Sequence, residues 1–185
     1  IAVVLSGDPH ASEVEAVARD GGKRIAKIRA APNNPIILPI PDPHTWSPED
    51  PHLYDLEINL LQDSHSIDQV QSYFGMRKFS LEPGHQGRLR FCLNNQPLFQ
   101  YGPLDQGYWP DGLYTPPSET AMRSDLKFIK SIGCNMVRKH IKVEPARYYY
   151  DCDRLGLILW QDMPNGGKAV GAFLSTLAVI VSKLT

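Results

Sequence analysis

Residues 104–165 read LDQGYWPDGLYTPPSETAMRSDLKFIKSIGCNMVRKHIKVEPARYYYDCDRLGLILWQDMPN, and this segment carries the clearest information about the fold of the chain. Its apolar spacing and its turn residues predict a helix over 118–133, a strand over 134–137, a second helix over 145–156 and a strand over 157–160. Strands that alternate with helices in this way indicate parallel strands, either in a doubly wound sheet or in a (β/α)₈ barrel.

Local signals set the ends of these helices. Ser118 is an N-cap residue, and Gly133 is expected to end the first helix. Pro145 suits a first helical turn and Gly156 a stop. One face of the second helix is expected to carry Tyr149, Cys152 and Leu155. The apolar run at 157–160 is typical of a parallel strand that is buried on both faces. No glycine-rich phosphate loop follows any strand, which makes a nucleotide-binding sheet the weaker alternative.

The N-terminal half of the sequence has a different pattern of predicted elements, with short strands and no helices. Short strands are predicted at 1–7, 23–30, 36–40 and 52–61, and the last of these alternates apolar with polar residues. A period of two indicates a strand with one solvent-exposed face, so we expect an antiparallel sandwich.

Prolines 39, 41, 43, 48 and 51 predict a rigid extended connector between these strands. Trp46 lies within it and is interpreted as a packing anchor rather than a sugar platform. Further along, Asn94 and Asn95 separate two apolar runs and predict a tight hairpin turn.

Composition excludes several classes of function. A formal net charge of -1 gives no long-range field for nucleic acid. Cys92, Cys134 and Cys152 form no CxxC pair and are expected to be buried thiols. The apolar run at 169–181 is shorter than the roughly twenty residues of a membrane span, so we expect a buried helix there. No signal peptide is predicted at the start of the sequence.

Polar residues follow the three predicted parallel strands at the positions where active sites form in such folds. The candidates are Asp105 with Gln106, Arg138 with Lys139 and His140, and Gln161 with Asp162. Arg138 is expected either to contact a ligand or to pair with a carboxylate such as Asp162. His140 has no second ligand at metal spacing, so we predict no metal and no cofactor. Asp105 and Asp162 could form the carboxylate pair that glycoside hydrolysis needs. Asp111, in the loop GYWPDGLY, is expected either in a turn or beside a sugar-stacking wall.

Several separate blocks of the sequence resemble glycoside hydrolase family 2, the β-galactosidase, β-glucuronidase and β-mannosidase group. The blocks are WSPEDPHLYDLEI, FGMRKF, NNQPLFQYGPLDQGYWPDGLY and NMVRKHIKVEPARYYYDCDRLGLILWQDMPN. The resemblance implies a partial immunoglobulin-like sandwich over 1–81. It also implies the first three βα units of a truncated (β/α)₈ barrel over 82–185.

The resemblance further implies a retaining exo-β-glycosidase, β-galactosidase-like first and glucuronidase-like second, that acts on a β-linked glycoside. Family members use two barrel glutamates, one in an Asn-Glu dipeptide, and no such dipeptide occurs in this sequence. The chain alone is therefore expected to be inactive and poorly stable. By the same resemblance, Asp105, Arg138, His140 and Asp162 line a sugar pocket without breaking the bond. Pro103 departs from the family pattern, and the first barrel strand is expected to be distorted.

A non-catalytic carbohydrate-binding or scaffolding protein derived from the same fold is the alternative. The sequence does not decide the location of the protein, although many proteins of this group are periplasmic or secreted.

Overall fold

The computed structural model describes residues 1, 3 and 13–164 of the 185-residue chain. Its first sheet contains four antiparallel strands in the order β2-β1-β3-β4. The strands are β1 (Glu13–Asp20), β2 (Lys23–Ala30), β3 (Tyr54–Gln62) and β4 (His65–Phe74). The predicted strands at 23–30 and 52–61 are thus confirmed, whereas the strand predicted at 1–7 lies mostly outside the described residues.

One face of this sheet is apolar and the other is polar. Val14 and Ala16 of β1 are fully buried and pack with Ile36. On the polar face, Glu15 accepts hydrogen bonds from Lys27 and Arg29, each over 2.7 Å. The extended backbone of β1, which the sequence analysis did not predict as a strand, places these two sets of side chains on opposite faces of the sheet.

Residues 36–40 cover the apolar face, but the strand predicted there is wrong. Ile36 exchanges backbone hydrogen bonds with Ile1, and no regular ladder continues beyond it. Pro35, Pro39 and Pro41 lack backbone donors, so the segment remains extended without becoming a strand.

A three-stranded antiparallel sheet follows, with β5 (Phe79–Pro83), β6 (Leu89–Leu93) and β7 (Gln96–Pro97). Asn94 and Asn95 connect β6 to β7 with φ angles of 51° and 65°. Two consecutive left-handed residues are what a two-residue hairpin turn requires, which confirms the predicted turn.

A third sheet contains three parallel strands in the order β10-β9-β8. Its strands are β8 (Leu104–Asp105), β9 (Met136–Lys139) and β10 (Ile158–Gln161), connected by α1 (Glu119–Ser131) and α2 (Ala146–Leu155). The predicted alternation of strands and helices is confirmed, with β9 beginning two residues and β10 one residue later than expected. The first strand is only two residues long and directly follows Pro103, in agreement with the distortion predicted there.

The helix ends follow the predicted local chemistry. Ser118 Oγ accepts a hydrogen bond from the Ala121 amide, and Gly156 takes the left-handed conformation after α2 with φ 73°. The predicted buried face of α2 is confirmed in part: Cys152 is buried and Leu155 packs against the core, but the other fully buried residues are Tyr148 and Asp151 instead of Tyr149. Asp151 is buried since its carboxylate accepts two hydrogen bonds from Arg123 of α1, at 3.0 and 3.1 Å.

The core of this unit lies between the parallel sheet and the two helices. Its buried residues come from α1, α2, β9 and the turns that precede β9 and β10: Met122, Leu126, Ile129, Cys134, Val137, Tyr148, Cys152 and Leu157. All three cysteines are buried free thiols, as expected. Burial raises the pKa of the Cys152 thiol to about 12, which makes it an inert core side chain.

Trp46 connects the proline-rich segment to both flanking units. Its side chain is fully buried against Leu93 and Ile158, and its indole N–H donates to the Asp153 carbonyl over 2.7 Å. Arg77 lies over the indole ring at 4.5 Å. The interpretation of Trp46 as a packing anchor is therefore confirmed.

Candidate functional site

The two faces of the parallel sheet have different surroundings. Val137 and Lys139 of β9 point toward the helices and are buried, whereas Arg138 between them is exposed on the opposite face. Trp160 of β10 is the register partner of Arg138 and is also exposed. We call the face that carries Arg138 and Trp160 the open face.

Arg138 and Asp162 form an ion pair on the open face. The Arg138 Nε atom lies 3.1 Å from Asp162 Oδ1, and Nη2 lies 2.9 Å from Oδ2. The guanidinium of Arg138 is half exposed, so this bidentate pair contributes little to stability. The ion pair nevertheless holds a guanidinium and a carboxylate at the ends of two adjacent strands. There the guanidinium can donate, and the carboxylate can accept, further hydrogen bonds.

His140 follows β9 directly and is half-buried. Its backbone N–H donates to the Asp105 carbonyl over 2.9 Å, which continues the ladder between β8 and β9. The alternation of a strand therefore places His140 on the same face as Arg138. Among the described residues, none forms a hydrogen bond with the imidazole ring.

Trp160 is an open-face residue that the sequence analysis did not select. Its ring meets the Phe91 ring edge-on at 5.5 Å, and its N–H donates to Gln100 Oε1. The signal was present in the sequence, because the period of two in β10 places Trp160 beside Asp162. An indole next to polar groups offers the flat apolar surface on which a sugar ring can stack.

Asp105 lies on the helix side of the sheet, away from the other three predicted residues. Its register partner is Lys139, whose ammonium lies 2.6 Å from Asp105 Oδ2. Tyr148 donates to the same oxygen over 3.0 Å, and the Gly107 amide donates to Oδ1 over 2.7 Å. The structure thus brings together Arg138, Asp162 and, by alternation, His140, and it does not bring Asp105 to them.

Burial and charge act in opposite directions on Asp105. Burial is the largest single influence and raises its pKa, but the Lys139 ammonium and the hydrogen bonds from Gly107 and Tyr148 together outweigh it. The pKa of Asp105 therefore lies below its ordinary value, and the carboxylate is charged at neutral pH. Burial, with Asp105 nearby, raises the pKa of the Tyr148 hydroxyl, which remains a donor.

Asp105 belongs to a buried ionic cluster that continues into the loop after β9. Lys139 Nζ also lies 2.8 Å from Glu144 Oε1, and Lys142 Nζ lies 2.8 Å from that same oxygen. Lys142 further donates to the Gly107 carbonyl over 3.1 Å. We call Asp105, Lys139, Lys142 and Glu144 the ionic cluster. Asp105 and Lys139 were among the polar residues expected at the strand ends, but their pairing with Lys142 and Glu144 was not predicted.

Ile141, between His140 and the ionic cluster, has an unfavourable backbone conformation. Its φ is 43°, in the left-handed region that a β-branched residue rarely adopts. Such a conformation costs about 1–3 kcal/mol and persists only where the surroundings impose it. Strain of this kind next to a strand end is common at functional sites.

The loop that carries Asp111 forms a turn. The Trp109 amide donates to the Leu113 carbonyl over 2.7 Å, and Thr115 donates to Gly112 over 2.9 Å. Tyr108 and Tyr114 face each other with ring centroids 5.2 Å apart, and both are exposed. Of the two readings of this loop, these contacts favour the turn for Asp111.

Metal sites and membrane-spanning helices can be assessed over residues 1, 3 and 13–164. Within that part of the chain, no group of three or more histidine, cysteine or acidic side chains is arranged to hold a metal ion. No helix in it has the length and apolar character needed to cross a membrane.

Comparison with known proteins adds a family match and several relatives. A sequence profile described as glycosyl hydrolases family 2 matches residues 5–77. A β-galactosidase of Oenococcus oeni is 36% identical over 121 residues, which cover 65% of this chain and 11% of that protein. A β-galactosidase of Leuconostoc mesenteroides is 30% identical over 128 residues, covering 66% of this chain and 11% of that protein.

Solved structures show the same fold at lower identity. A β-glucuronidase from Ruminococcus gnavus, in complex with D-glucuronic acid, matches with a TM-score of 0.78 and 18% identity. The match covers 91% of this chain and 27% of that one. The chain therefore spans only a small part of the length of the proteins that it matches.

Proposed function

This chain resembles the glycosyl hydrolases of family 2 in sequence and in fold, and we propose that it is part of a retaining exo-β-glycosidase. The activity is β-galactosidase-like first and glucuronidase-like second. Residues 1–81 belong to an immunoglobulin-like sandwich, and the segment from 82 onward begins a (β/α)₈ barrel in which β8, β9 and β10 are the first three strands. The hydrolytic glutamates lie outside this chain, which binds sugar without breaking the glycosidic bond.

One observation carries the proposal. Arg138 and Asp162 pair on the open face at the carboxyl ends of two parallel strands, with His140 beside them by alternation. In barrel enzymes the substrate binds at that end of the strands. A guanidinium, a carboxylate and an imidazole supply both donors and acceptors, which is what the hydroxyl groups of a sugar require. Trp160 adds a stacking surface to this wall.

Asp105 has an indirect part in the proposed site. Its carboxylate is occupied by Lys139, Tyr148 and Gly107, so it supports the site through β8 and does not need to meet the sugar. This assignment replaces the expectation that all four residues line the pocket.

The experiment is a kinetic assay of the full-length protein that contains this sequence, on a panel of nitrophenyl β-galactosides, β-glucuronides, β-glucosides and β-mannosides. We expect hydrolysis of at least one substrate with retention of the anomeric configuration. We expect Arg138→Met to lower kcat/KM by roughly 10- to 100-fold, mainly through KM, because a charged hydrogen bond to the sugar is lost.

Arg29→Met is the matched control. Arg29 is comparably exposed and is also paired with carboxylates, but it lies on the antiparallel sheet. It should leave kcat/KM within about twofold of the wild type, since surface substitutions away from a site have small effects. Binding of a monosaccharide without turnover of any substrate would instead favour the non-catalytic carbohydrate-binding alternative. If the protein shows no sugar binding and no turnover of any substrate, both proposed functions are refuted.

A further inference from the structure

The ionic cluster connects the first two parallel strands at a point directly behind His140. Lys139 is almost completely buried, and its ammonium bridges Asp105 of β8 and Glu144 of the following loop over 2.6 and 2.8 Å. The Tyr148 ring lies 4.5 Å from the same ammonium. A buried charge with this many partners fixes the relative positions of the elements that supply them.

Lys142 makes a second connection in the same place. Its ammonium binds Glu144 and the Gly107 carbonyl, and lies 4.5 Å from the centre of the Tyr114 ring. Gly107, with φ 71°, leaves no room for a side chain, because a Cβ there would lie 2.7 Å from Lys142 Nζ. The loop after β8 and the loop after β9 are therefore packed against each other through charged groups.

Between these connections the chain passes through the strained residue Ile141. Its neighbours on both sides are held: the His140 amide binds the Asp105 carbonyl, and the Lys142 carbonyl accepts from Gln161 Nε2 over 2.9 Å. The Glu144 amide donates to the Tyr149 hydroxyl over 3.1 Å. The ionic cluster and these hydrogen bonds supply the constraint that a left-handed isoleucine requires.

The geometry points to Lys139 as a positioning residue, which acts through Glu144 and the strained Ile141 to set the place of His140 on the open face. This inference rests on the proposed function for its catalytic consequence. Lys139 itself faces the helices and does not meet the substrate, so it acts through the loop and not by contact. The Lys139 ammonium is surrounded by Asp105, Glu144 and the Tyr148 ring. Lys142 binds the same oxygen of Glu144.

The test compares Lys139→Met with Lys130→Met in the full-length protein. Lys130 is the control, because its ammonium is partly buried and donates to two carbonyl oxygens outside the ionic cluster, those of Pro48 and Gly156, over 2.6 and 2.9 Å. Both substitutions remove a lysine charge and lower the thermal midpoint, but only Lys139→Met removes a partner of the ionic cluster.

Two readouts separate positioning from stability. The first is the ¹³C-methyl resonance of Ile141, assigned with Ile141→Val, which reports the loop without needing activity. The second is kcat/KM at a temperature where both variants are folded. We expect Lys139→Met to shift the Ile141 resonance and to lower kcat/KM about 100-fold, since a small displacement of a binding group can have that effect. Lys130→Met should leave both unchanged.

An unmoved Ile141 resonance in Lys139→Met would overturn the inference, and so would a shifted resonance with kcat/KM within twofold of Lys130→Met. If the wild-type protein hydrolyses no glycoside while the resonance shifts in Lys139→Met alone, the loop constraint is supported and the proposed function fails. The two failures are therefore distinguishable.

Discussion

Replacement of Trp46 is the most direct test of how the connector joins its neighbours. In Trp46→Phe the ring is largely kept, but the N–H that donates to the Asp153 carbonyl is lost. A lost hydrogen bond with a buried acceptor left unpaired costs about 1–3 kcal/mol. The smaller ring also fills less of the site among Leu93 and Ile158, so we expect a total loss of about 2–3 kcal/mol. Trp46→Ala should cost about 3–5 kcal/mol.

The assay is amide hydrogen exchange in the full-length protein, because a large protein seldom unfolds in two states. Exchange in α2, which carries the Asp153 carbonyl, gives the free energy of opening for each variant. Tyr108→Phe is the control: it also removes one polar atom from an aromatic ring, but Tyr108 is exposed and the change should stay within about 0.5 kcal/mol. If Trp46→Phe lowers the free energy of opening by no more than Tyr108→Phe does, the indole of Trp46 does not stabilise the contact with α2.

Three further predictions concern the parallel unit. Asp151→Asn should destabilise the contact between α1 and α2 by about 1.5–3 kcal/mol, because the hydrogen bonds from Arg123 lose their buried carboxylate; amide hydrogen exchange in the two helices measures this, and a neutral result would contradict it. Gly156→Ala should cost more than about 1 kcal/mol, since φ is positive and the new Cβ would lie 2.2 Å from a connector carbonyl oxygen; a stabilised variant would show that the turn can move. The depressed pKa of Asp105 stabilises the fold above the unfolded value of about 3.9, and this contribution is lost as the pH falls through the folded pKa. The free energy of opening of the parallel unit should therefore fall more steeply below about pH 4 in the wild type than in Asp105→Asn, as measured by amide hydrogen exchange in the full-length protein, and parallel curves would contradict this.

Local features of the fold could be predicted from the sequence because a few neighbouring residues determine them. The turn at Asn94 and Asn95 needs only two residues that tolerate positive φ, and Ser118 needs only a free amide three residues later. By contrast, β1 was missed, because Val14 lies between two glutamates but the next three residues, Ala16, Val17 and Ala18, interrupt the alternation of apolar and polar residues. Alanine also has a weak preference for strands, so the segment carried too little signal.

Only part of the candidate site could be predicted, because the rest depends on the register between strands and not on neighbouring residues. The sequence indicated which residues follow the strands, and the pairing of Arg138 with Asp162 was among the expected alternatives. The face on which Asp105 lies depends on its register with Lys139, and that register is set by contacts across 34 residues. A one-residue change of register moves a side chain to the opposite face, which a strand of two residues cannot reveal from its own sequence.

The open face of the parallel sheet affects the expected behaviour of the 185-residue chain by itself. Leu104 and Trp160 are exposed on it, and Phe91 extends the apolar surface. Exposed apolar patches beside unpaired strand edges promote association. We therefore expect the 185-residue polypeptide by itself to be inactive and to associate, and a monomeric profile with cooperative unfolding would contradict that expectation.

The central claim is that the open face is a wall of a sugar site, and a crystal structure of the full-length protein with a bound monosaccharide tests it most directly. We expect sugar hydroxyl groups within hydrogen-bond distance of His140 and of the Arg138–Asp162 pair, with Asp105 still bound to Lys139 behind the sheet. A sugar bound elsewhere, with the open face covered by other parts of the protein, would contradict it.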